Sequence, residues 1–390
     1  MTYVLQLGLI GICIALLPLL YVWVKADDNK FRKLVWLTTF LTLDLVMLGS
    51  FTRLTDSGLG CPDWPGCYGT SSPFIAHVAI TAAHRAMPTG PVSIGKAWIE
   101  MIHRYFAMAI GVLIIAQVLI AWTARFKRMP LHVSPWWPTG ILMLIVVQGA
   151  FGAWTVTMKL QPVIVTTHLL LGLALLGSLG WLVARQTPIP AIDPAAARWL
   201  PAALVGLLLL VVQIALGGWV STNYAVLACT DFPLCNGAWI PPMNFEHGFH
   251  LWRALGMTGD GDVISQDVLV AIHWTHRTFA IVVVLYMLWL VAELRRFESL
   301  RKPANGIMIV IVVQFLTGLS NILLQWPLPI AVAHNGGAAI LLLLLVMVNF
   351  RISSSRPGHV VGSSATAPRD AVFLHHSRAK LREFLWTARH

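Results

Sequence analysis

Long apolar stretches recur along the whole chain, and short polar segments separate them. Each stretch has about 18 or more residues with few or no charges, which is enough for a helix to cross the hydrocarbon layer of a bilayer. The pattern predicts membrane spans at about 3–24, 33–51, 98–124, 136–157, 163–184, 199–222, 270–294, 306–326 and 329–350. We therefore expect an all-α polytopic membrane protein.

The composition supports this fold class and excludes two others. Of the 390 residues, 57% are hydrophobic and only 11% are charged, whereas a soluble globular domain carries about 25% charged residues. A disordered chain would be poor in apolar residues. Composition thus excludes a water-soluble globular protein and also a disordered one.

The distribution of basic residues predicts the orientation of the chain. Of the 27 Lys and Arg, 20 lie in one set of loops and in the tail after residue 350, and five lie in the opposite loops. Because Lys and Arg concentrate on the cytoplasmic side, we expect a protein of the cell inner membrane with its N-terminus outside and its C-terminus in the cytoplasm. The net charge of +11 then lies beside anionic lipid and requires no nucleic-acid partner.

An internal repeat relates the two parts of the chain. Residues 49–67 align with residues 217–235 at an offset of 168, and both cysteines of each segment coincide. Further matches in the same order pair His103 with His276, Arg104 with Arg277, Gln148 with Gln314, Gly152 with Gly318 and His168 with His334. Chance similarity between apolar helices would not align polar residues in this way.

The repeat predicts the domain organisation. We expect two pseudo-symmetric four-helix transmembrane bundles, at about 33–185 and 199–351. One extra N-terminal transmembrane helix within residues 1–32 precedes them; we interpret it as a retained helix rather than a signal peptide. A basic, disordered cytoplasmic tail follows at 352–390, with a short amphipathic helix near 378–389.

Four of the five histidines inside the predicted spans lie at about the same depth, namely His103, His168, His276 and His334. Polar residues in membrane spans are rare and usually functional. Each imidazole could simply hydrogen-bond across its bundle, but four at one depth favour two metal centres with two imidazoles each. Two imidazoles are too few for structural zinc, and the spans lack the acids of a di-iron site. Haem iron needs only one or two axial protein ligands, so a haem in each half fits best.

Charged residues accompany the candidate ligands. Arg104 and Arg277 each follow a histidine, where a guanidinium would pair with a haem propionate; snorkelling to the outer interface is the alternative. Glu100 lies three residues before His103 and shares its helix face, whereas His273 takes this place in the second half. We expect the Glu100 carboxyl to face the group that His103 holds and to handle protons there, unless it is merely exposed near the helix start.

Four of the five cysteines form two pairs in predicted outer loops, Cys61/Cys67 and Cys229/Cys235. Both pairs have the pattern Cys-x-Asp-[Trp/Phe]-Pro-x-Cys. Paired cysteines in an oxidising compartment usually form disulfides. A structural role is favoured over a redox-active one that relays electrons, because the spacing differs from zinc and thioredoxin motifs. Both roles stay open.

Several motifs together resemble the haem A synthase family. They are GSFTRLTDSGLGCPDWPGCYG from residue 49, Glu-Met-Ile-His-Arg at 100–104, Thr-Thr-His at 166–168, Thr-His-Arg at 275–277 and Ala-His-Asn-Gly-Gly at 333–337. The resemblance covers about residues 36–350. It implies a fold of two pseudo-symmetric four-helix bundles. It also implies an enzyme that oxidises the C8 methyl group of haem O to the formyl group of haem A, the cofactor of cytochrome c oxidases.

The resemblance also implies roles for individual residues. His276 and His334 would ligate a resident haem b, and His103 and His168 would face the substrate haem O. Glu100 would be the essential acid, and both cysteine pairs fall on outer-loop disulfide positions of the family. Haem O, haem A, membrane lipid and an unidentified electron donor are the implied partners. A haem O synthase (farnesyltransferase), cytochrome c oxidase assembly factors and a second copy of the chain stay open.

Three other functions stay open from the sequence. A di-haem electron carrier of the cytochrome b type would explain the four histidines but would leave Glu100 unused. A thiol–disulfide membrane oxidoreductase would explain the cysteines but not the histidines in the spans. A repeat-built transporter would need unpaired charges at mid-membrane, for which Asp44 is the only candidate.

Overall fold

The computed structural model describes residues 2–25, 29–131, 133–187 and 192–355. Within these ranges the regular structure is helical. A 3-10 helix, Pro194–Trp199, precedes the seventh α-helix. The α-helices are α1 Thr2–Val24, α2 Lys30–Leu54, α3 His77–Ala86, α4 Ile94–Phe126, α5 Trp136–Thr157, α6 Pro162–Gln186, α7 Leu200–Thr222, α8 Phe245–Gly248, α9 Gln266–Leu294, α10 Glu298–Leu323 and α11 Leu328–Ser354.

Nine helices in the described ranges are long and apolar enough to cross a membrane, all except α3 and α8. The predicted all-α polytopic membrane fold is thereby confirmed. The largest difference in boundaries is at α10, which begins at Glu298 rather than near 306. Charged first turns are still helical, so a helix can extend beyond the apolar stretch that marks its span. The tail after residue 355, including the helix expected near 378–389, lies outside the described residues.

The long helices pack in two rings of four helices, and the two rings lie against each other. Helices α2, α4, α5 and α6 contact one another in a closed ring, and α7, α9, α10 and α11 form a second ring. Helix α11 packs against α2 and α6, and α6 also packs against α7. Chain segments up to the end of α11 form one compact unit. The division into bundles at 33–185 and 199–351 therefore describes two halves of one body, and its bounds stay a prediction.

Polar contacts join the two halves at their outer ends. Arg53, in the last turn of α2, donates a hydrogen bond to the carbonyl of Ser221 at the end of α7. The Arg53 guanidinium also lies 4.2 Å from the centre of the Tyr224 ring. The Tyr224 hydroxyl donates to Asp56 at 2.6 Å. A cation over an aromatic face and a charge-assisted hydrogen bond thus hold the two loop regions together.

The glycines of α6 pack within the chain. Gly177 lies beside Leu342 and Val346 of α11, and a Cβ on Gly180 would lie 2.6 Å from Leu343. Membrane helices associate through such small residues because lipid offers no hydrophobic driving force between them. This face therefore holds α6 against the second half.

The extra helix α1 packs against α4 and α2, outside both rings. Gly11 permits this contact, because a Cβ there would lie only 2.9 Å from the Cβ of Met108 on α4. Near the outer end, Tyr3 and Leu7 belong to one apolar cluster with Cys61 and Met101. Helix α1 thus covers α4 and the first outer loop.

Gly11→Val should separate α1 from α4 and lower the stability of the protein. Overpacking of this kind costs about 1–3 kcal/mol, so the unfolding temperature in detergent should fall by several degrees. Gly8→Val is the matched control, since no atom lies within 4 Å of a Cβ at Gly8. Equal unfolding temperatures for the two variants would contradict the close packing of α1.

Candidate functional site

Each histidine within the spans packs against a glycine of the neighbouring helix. The pairs are His103 of α4 with Gly49 of α2, His168 of α6 with Gly152 of α5, His276 of α9 with Gly217 of α7, and His334 of α11 with Gly318 of α10. A Cβ on these glycines would lie only 3.0 to 3.2 Å from the imidazole Cε1. The rings occupy the space that a side chain would otherwise fill. The internal repeat relates the first two of these histidine–glycine pairs to the last two.

His276 and His334 line one cavity of about 340 Å³. This volume is within the range of small-molecule and cofactor sites. Most of the lining is apolar, and Val46, Ser50 and Leu54 of α2 contribute to it from the other half. Two imidazoles facing an apolar cavity fit the two axial positions of a haem iron. The residues present thus suit the group that the sequence predicts.

The first half brings His103 and His168 together in the corresponding place. The two imidazoles lie close enough to interact electrostatically. Gln148 donates to the carbonyl of His168 at 2.9 Å, as Gln314 does to the carbonyl of His334 at 3.0 Å. Both halves therefore hold the backbone of their second histidine in the same way. The repeat alignment had marked these glutamines without giving them a role.

The surroundings of the imidazoles differ between the halves. Near His276, the amide nitrogen of Gln213 lies 3.2 Å from Nδ1, whereas Leu45 stands at the corresponding position of the first half. The Nδ1 atoms of His103 and His168 are buried and have no hydrogen-bond partner within the described residues. Gln213 belongs to no motif in the sequence, but a position-by-position comparison of the two repeats shows it as a difference between the halves.

Glu100 is buried, with 4% of its surface exposed. Its Oε2 accepts a hydrogen bond from the backbone N–H of Cys61 at 2.8 Å, and its Oε1 forms an ion pair with Arg104. Its oxygens thus contact the first outer loop and Arg104, and the approach of the carboxyl to the group that His103 would hold stays a prediction. One helical turn separates Glu100 from Arg104, which allows this pairing.

His273 performs the same contact in the second half. The backbone N–H of Cys229 donates to the Nδ1 of His273 at 3.2 Å, and His273 is also buried. Both halves therefore fasten an outer loop to the helix that carries the first histidine ligand candidate. Only the first half does so with a carboxylate.

The two arginines also contact the loops, but in different ways. Arg104 donates to the carbonyls of Asp63, at 2.9 Å, and Gly66, in addition to its pairing with Glu100. Arg277 donates to the carbonyl of Leu234 at 2.9 Å. Its Nη1 is buried and has no partner within the described residues. Arg277 also lines the cavity, whereas propionate binding by Arg104 would require it to exchange partners.

Both cysteine pairs lie at disulfide distance. The Cα atoms of Cys61 and Cys67 are 4.9 Å apart, and those of Cys229 and Cys235 are 4.7 Å apart. All four cysteines are buried, which favours a structural role for the two bonds. The fifth cysteine, Cys13, is exposed on α1.

An aspartate closes each disulfide loop. Asp63 accepts hydrogen bonds from the backbone N–H groups of Tyr68 and Gly69, at 2.6 and 2.7 Å. Asp231 does the same in the second loop, where the Gly237 N–H lowers the pKa of its carboxyl most strongly. The carboxylate form of Asp231 is thus favoured by the loop that it holds.

Residues 32–346 match the model of the COX15-CtaA family, which is described as a cytochrome oxidase assembly protein. The chain belongs to the COX15-CtaA family. All four histidines, Glu100 and both disulfides lie within the matched region, whereas α1 precedes it.

Several relatives of this COX15-CtaA chain bear the name heme A synthase. A protein of Shewanella oneidensis is 40% identical over 331 residues, which are 82% of this chain and 96% of the relative. A protein of Rhizorhabdus wittichii is 28% identical and covers 82% of this chain and 92% of the relative. A protein of Rhodopseudomonas palustris is also 28% identical, over 83% and 90% of the two chains.

Glu100→Leu should expose the first disulfide of this COX15-CtaA protein selectively. Loss of the Cys61 contact removes about 1–3 kcal/mol of hydrogen bonding, so reduction of Cys61–Cys67 by dithiothreitol should become about tenfold faster. Peptide mapping after alkylation measures both disulfides in one sample.

The reciprocal variant is the matched control. His273→Leu should accelerate reduction of Cys229–Cys235 and leave Cys61–Cys67 as it is in the parent protein. If either variant accelerated the reduction of both disulfides, the cause would be a general loosening of the fold and not the loss of one loop contact.

Proposed function

We propose that this chain is a haem A synthase, a multi-pass membrane oxidoreductase that converts the C8 methyl group of haem O to a formyl group. The product, haem A, would supply cytochrome c oxidase. The observation that carries this proposal is the cavity lined by His276 and His334, together with a second imidazole pair, His103 and His168, in the half whose helix α4 also carries Glu100. Membership of the COX15-CtaA family and the relatives named heme A synthase support it.

The second half is the better candidate for a resident haem b. Its cavity presents two imidazoles and is also lined by Arg277, whose guanidinium would donate to a propionate. When bound there, the haem would supply one-electron chemistry to the oxidation of the substrate. His276 and His334 would hold the iron, and their glycine neighbours would leave the rings room to do so.

The first half would take the substrate haem O. His103 and His168 would bind and orient it, and the outer end of α4 would bring Glu100 to the same half. Hydroxylation of a methyl group and loss of water from the resulting gem-diol both require proton transfer, for which a positioned carboxyl is suited. Contacts with Cys61 and Arg104 hold the Glu100 carboxyl in place.

The predicted orientation of the chain indicates on which side of the membrane the disulfide loops lie. We assign the basic loops to the cytoplasm and the disulfide loops to the outer face of the inner membrane. An electron donor, a haem O synthase and oxidase assembly factors are the partners that such a reaction would require or serve.

Glu100→Gln tests the proposed reaction most directly. Gln is nearly isosteric and can still accept a hydrogen bond, but it cannot titrate. In a host that makes haem O, the variant should keep its b-type haem and lower haem A production by about 100-fold. Haem O or its alcohol should accumulate, as measured by extraction and mass analysis of the porphyrins.

Two comparisons complete this test. The unmodified chain should yield haem A only when the host supplies haem O, and disulfide protection in Glu100→Gln should match the parent protein. Undiminished haem A from the variant would remove Glu100 from catalysis. Two b-type haems per chain and no haem A from the parent would favour a di-haem electron carrier.

His334→Ala should empty the resident site, because an iron with one imidazole removed is poorly held in an apolar cavity. We expect loss of the low-spin b-type spectrum in purified protein. His77→Ala, at an exposed position of α3, should leave the spectrum unchanged. Full haem content in His334→Ala would exclude this residue as a ligand.

A further inference from the structure

Two positions that the repeat aligns differ in a way that bears on haem retention. Thr317 of α10 and Phe151 of α5 correspond at the offset of 166 that also relates Gly318 to Gly152. Each residue directly precedes the glycine against which an imidazole packs. The position before the glycine thus carries a hydroxyl group in one half and a phenyl ring in the other.

Thr317 contacts the imidazole of His334 directly. Its Oγ1 lies 2.9 Å from His334 Nδ1 and also 2.8 Å from the carbonyl of Val313 on its own helix. A carbonyl only accepts, so donation of the hydroxyl proton to Val313 leaves an oxygen lone pair for Nδ1–H. With the hydroxyl used in this way, the ring proton lies on Nδ1. It leaves the Nε2 lone pair of His334 available to a metal.

The described part of the first half has no corresponding contact. The Phe151 ring packs against Trp154, with ring centres 5.0 Å apart. His168 Nδ1 is buried and lacks a hydrogen-bond partner within the described residues. The His168 ring is thus packed by Gly152 but lacks the hydrogen bond that would fix its tautomer.

We propose that Thr317 is a positioning residue that fixes the His334 imidazole for permanent haem binding. The first half has Phe151 in place of this hydroxyl, which leaves the His168 site suited to a haem that must enter and leave. Hydrogen-bond partners of a metal-bound imidazole orient the ring, raise its basicity and typically change metal affinity by 10- to 100-fold. This inference rests on the proposed function, because it takes the second half as the resident haem site.

Thr317→Val tests the proposal, since it keeps the branched shape and removes the hydroxyl. Purified protein loaded with b-type haem is mixed with excess apomyoglobin, and transfer of haem is followed optically. We expect release to be about 10-fold faster or more. The midpoint potential of the haem should rise, because a less basic imidazole stabilises the ferric iron less. Thr317→Ser should restore both values.

Ser320→Ala is the matched control. Ser320 lies on the same helix, is half-buried like Thr317, and donates to the carbonyl of Leu316 at 2.8 Å through an exposed hydrogen bond. Its replacement should change neither haem release nor potential. If Thr317→Val accumulates poorly, Thr317→Ala serves in its place with the same expectation.

The outcomes distinguish this inference from the proposed function. Release rate and potential equal to those of the parent protein in Thr317→Val would overturn the role of Thr317 while leaving the resident haem in place. The same changes in Ser320→Ala would also overturn it, because the effect would then belong to α10 in general. A parent protein without b-type haem would overturn the proposed function itself.

Discussion

The close approach of an imidazole to a glycine on the next helix is the contact on which the site depends. It occurs at all four histidine–glycine pairs, and at each a Cβ on the glycine would lie so close that the ring would have to shift by a few tenths of an ångström. Because interiors pack without spare volume, the glycine fixes both the separation of two helices and the position of a histidine between them. Helix packing and candidate ligand geometry are therefore one constraint in this protein.

The two halves repeat the same helix arrangement but carry different residues at one position that matters for chemistry. Both fasten a disulfide loop to a helix through a cysteine N–H, but the acceptor is Glu100 in one half and His273 in the other. Arg104 is consequently paired with a buried carboxylate, whereas His273 stands at the corresponding place before Arg277. One exchanged residue thus changes the charge and the hydrogen bonds at the outer end of the helix.

Much of the fold followed from the sequence because its signals are local. Apolar length predicted the spans, and repeated motifs brought out the cysteine pairs and the four histidines. The direction of the Glu100 carboxyl did not follow, since helix periodicity places a residue on a face but does not show which loop lies against it. Thr317 and Gln213 were missed for a related reason. Their importance comes from a contact between two helices, and neither residue belongs to a motif.

The lining of the resident cavity has a consequence for the origin of the molecule. Val46, Ser50 and Leu54 close that cavity from α2, and Arg53 bonds to the end of α7. An ancestral gene encoding one repeat would have produced a protein with an incomplete cavity. Pairing with an identical subunit would have completed it. Duplication and fusion would make such a pairing permanent and would let each copy change independently.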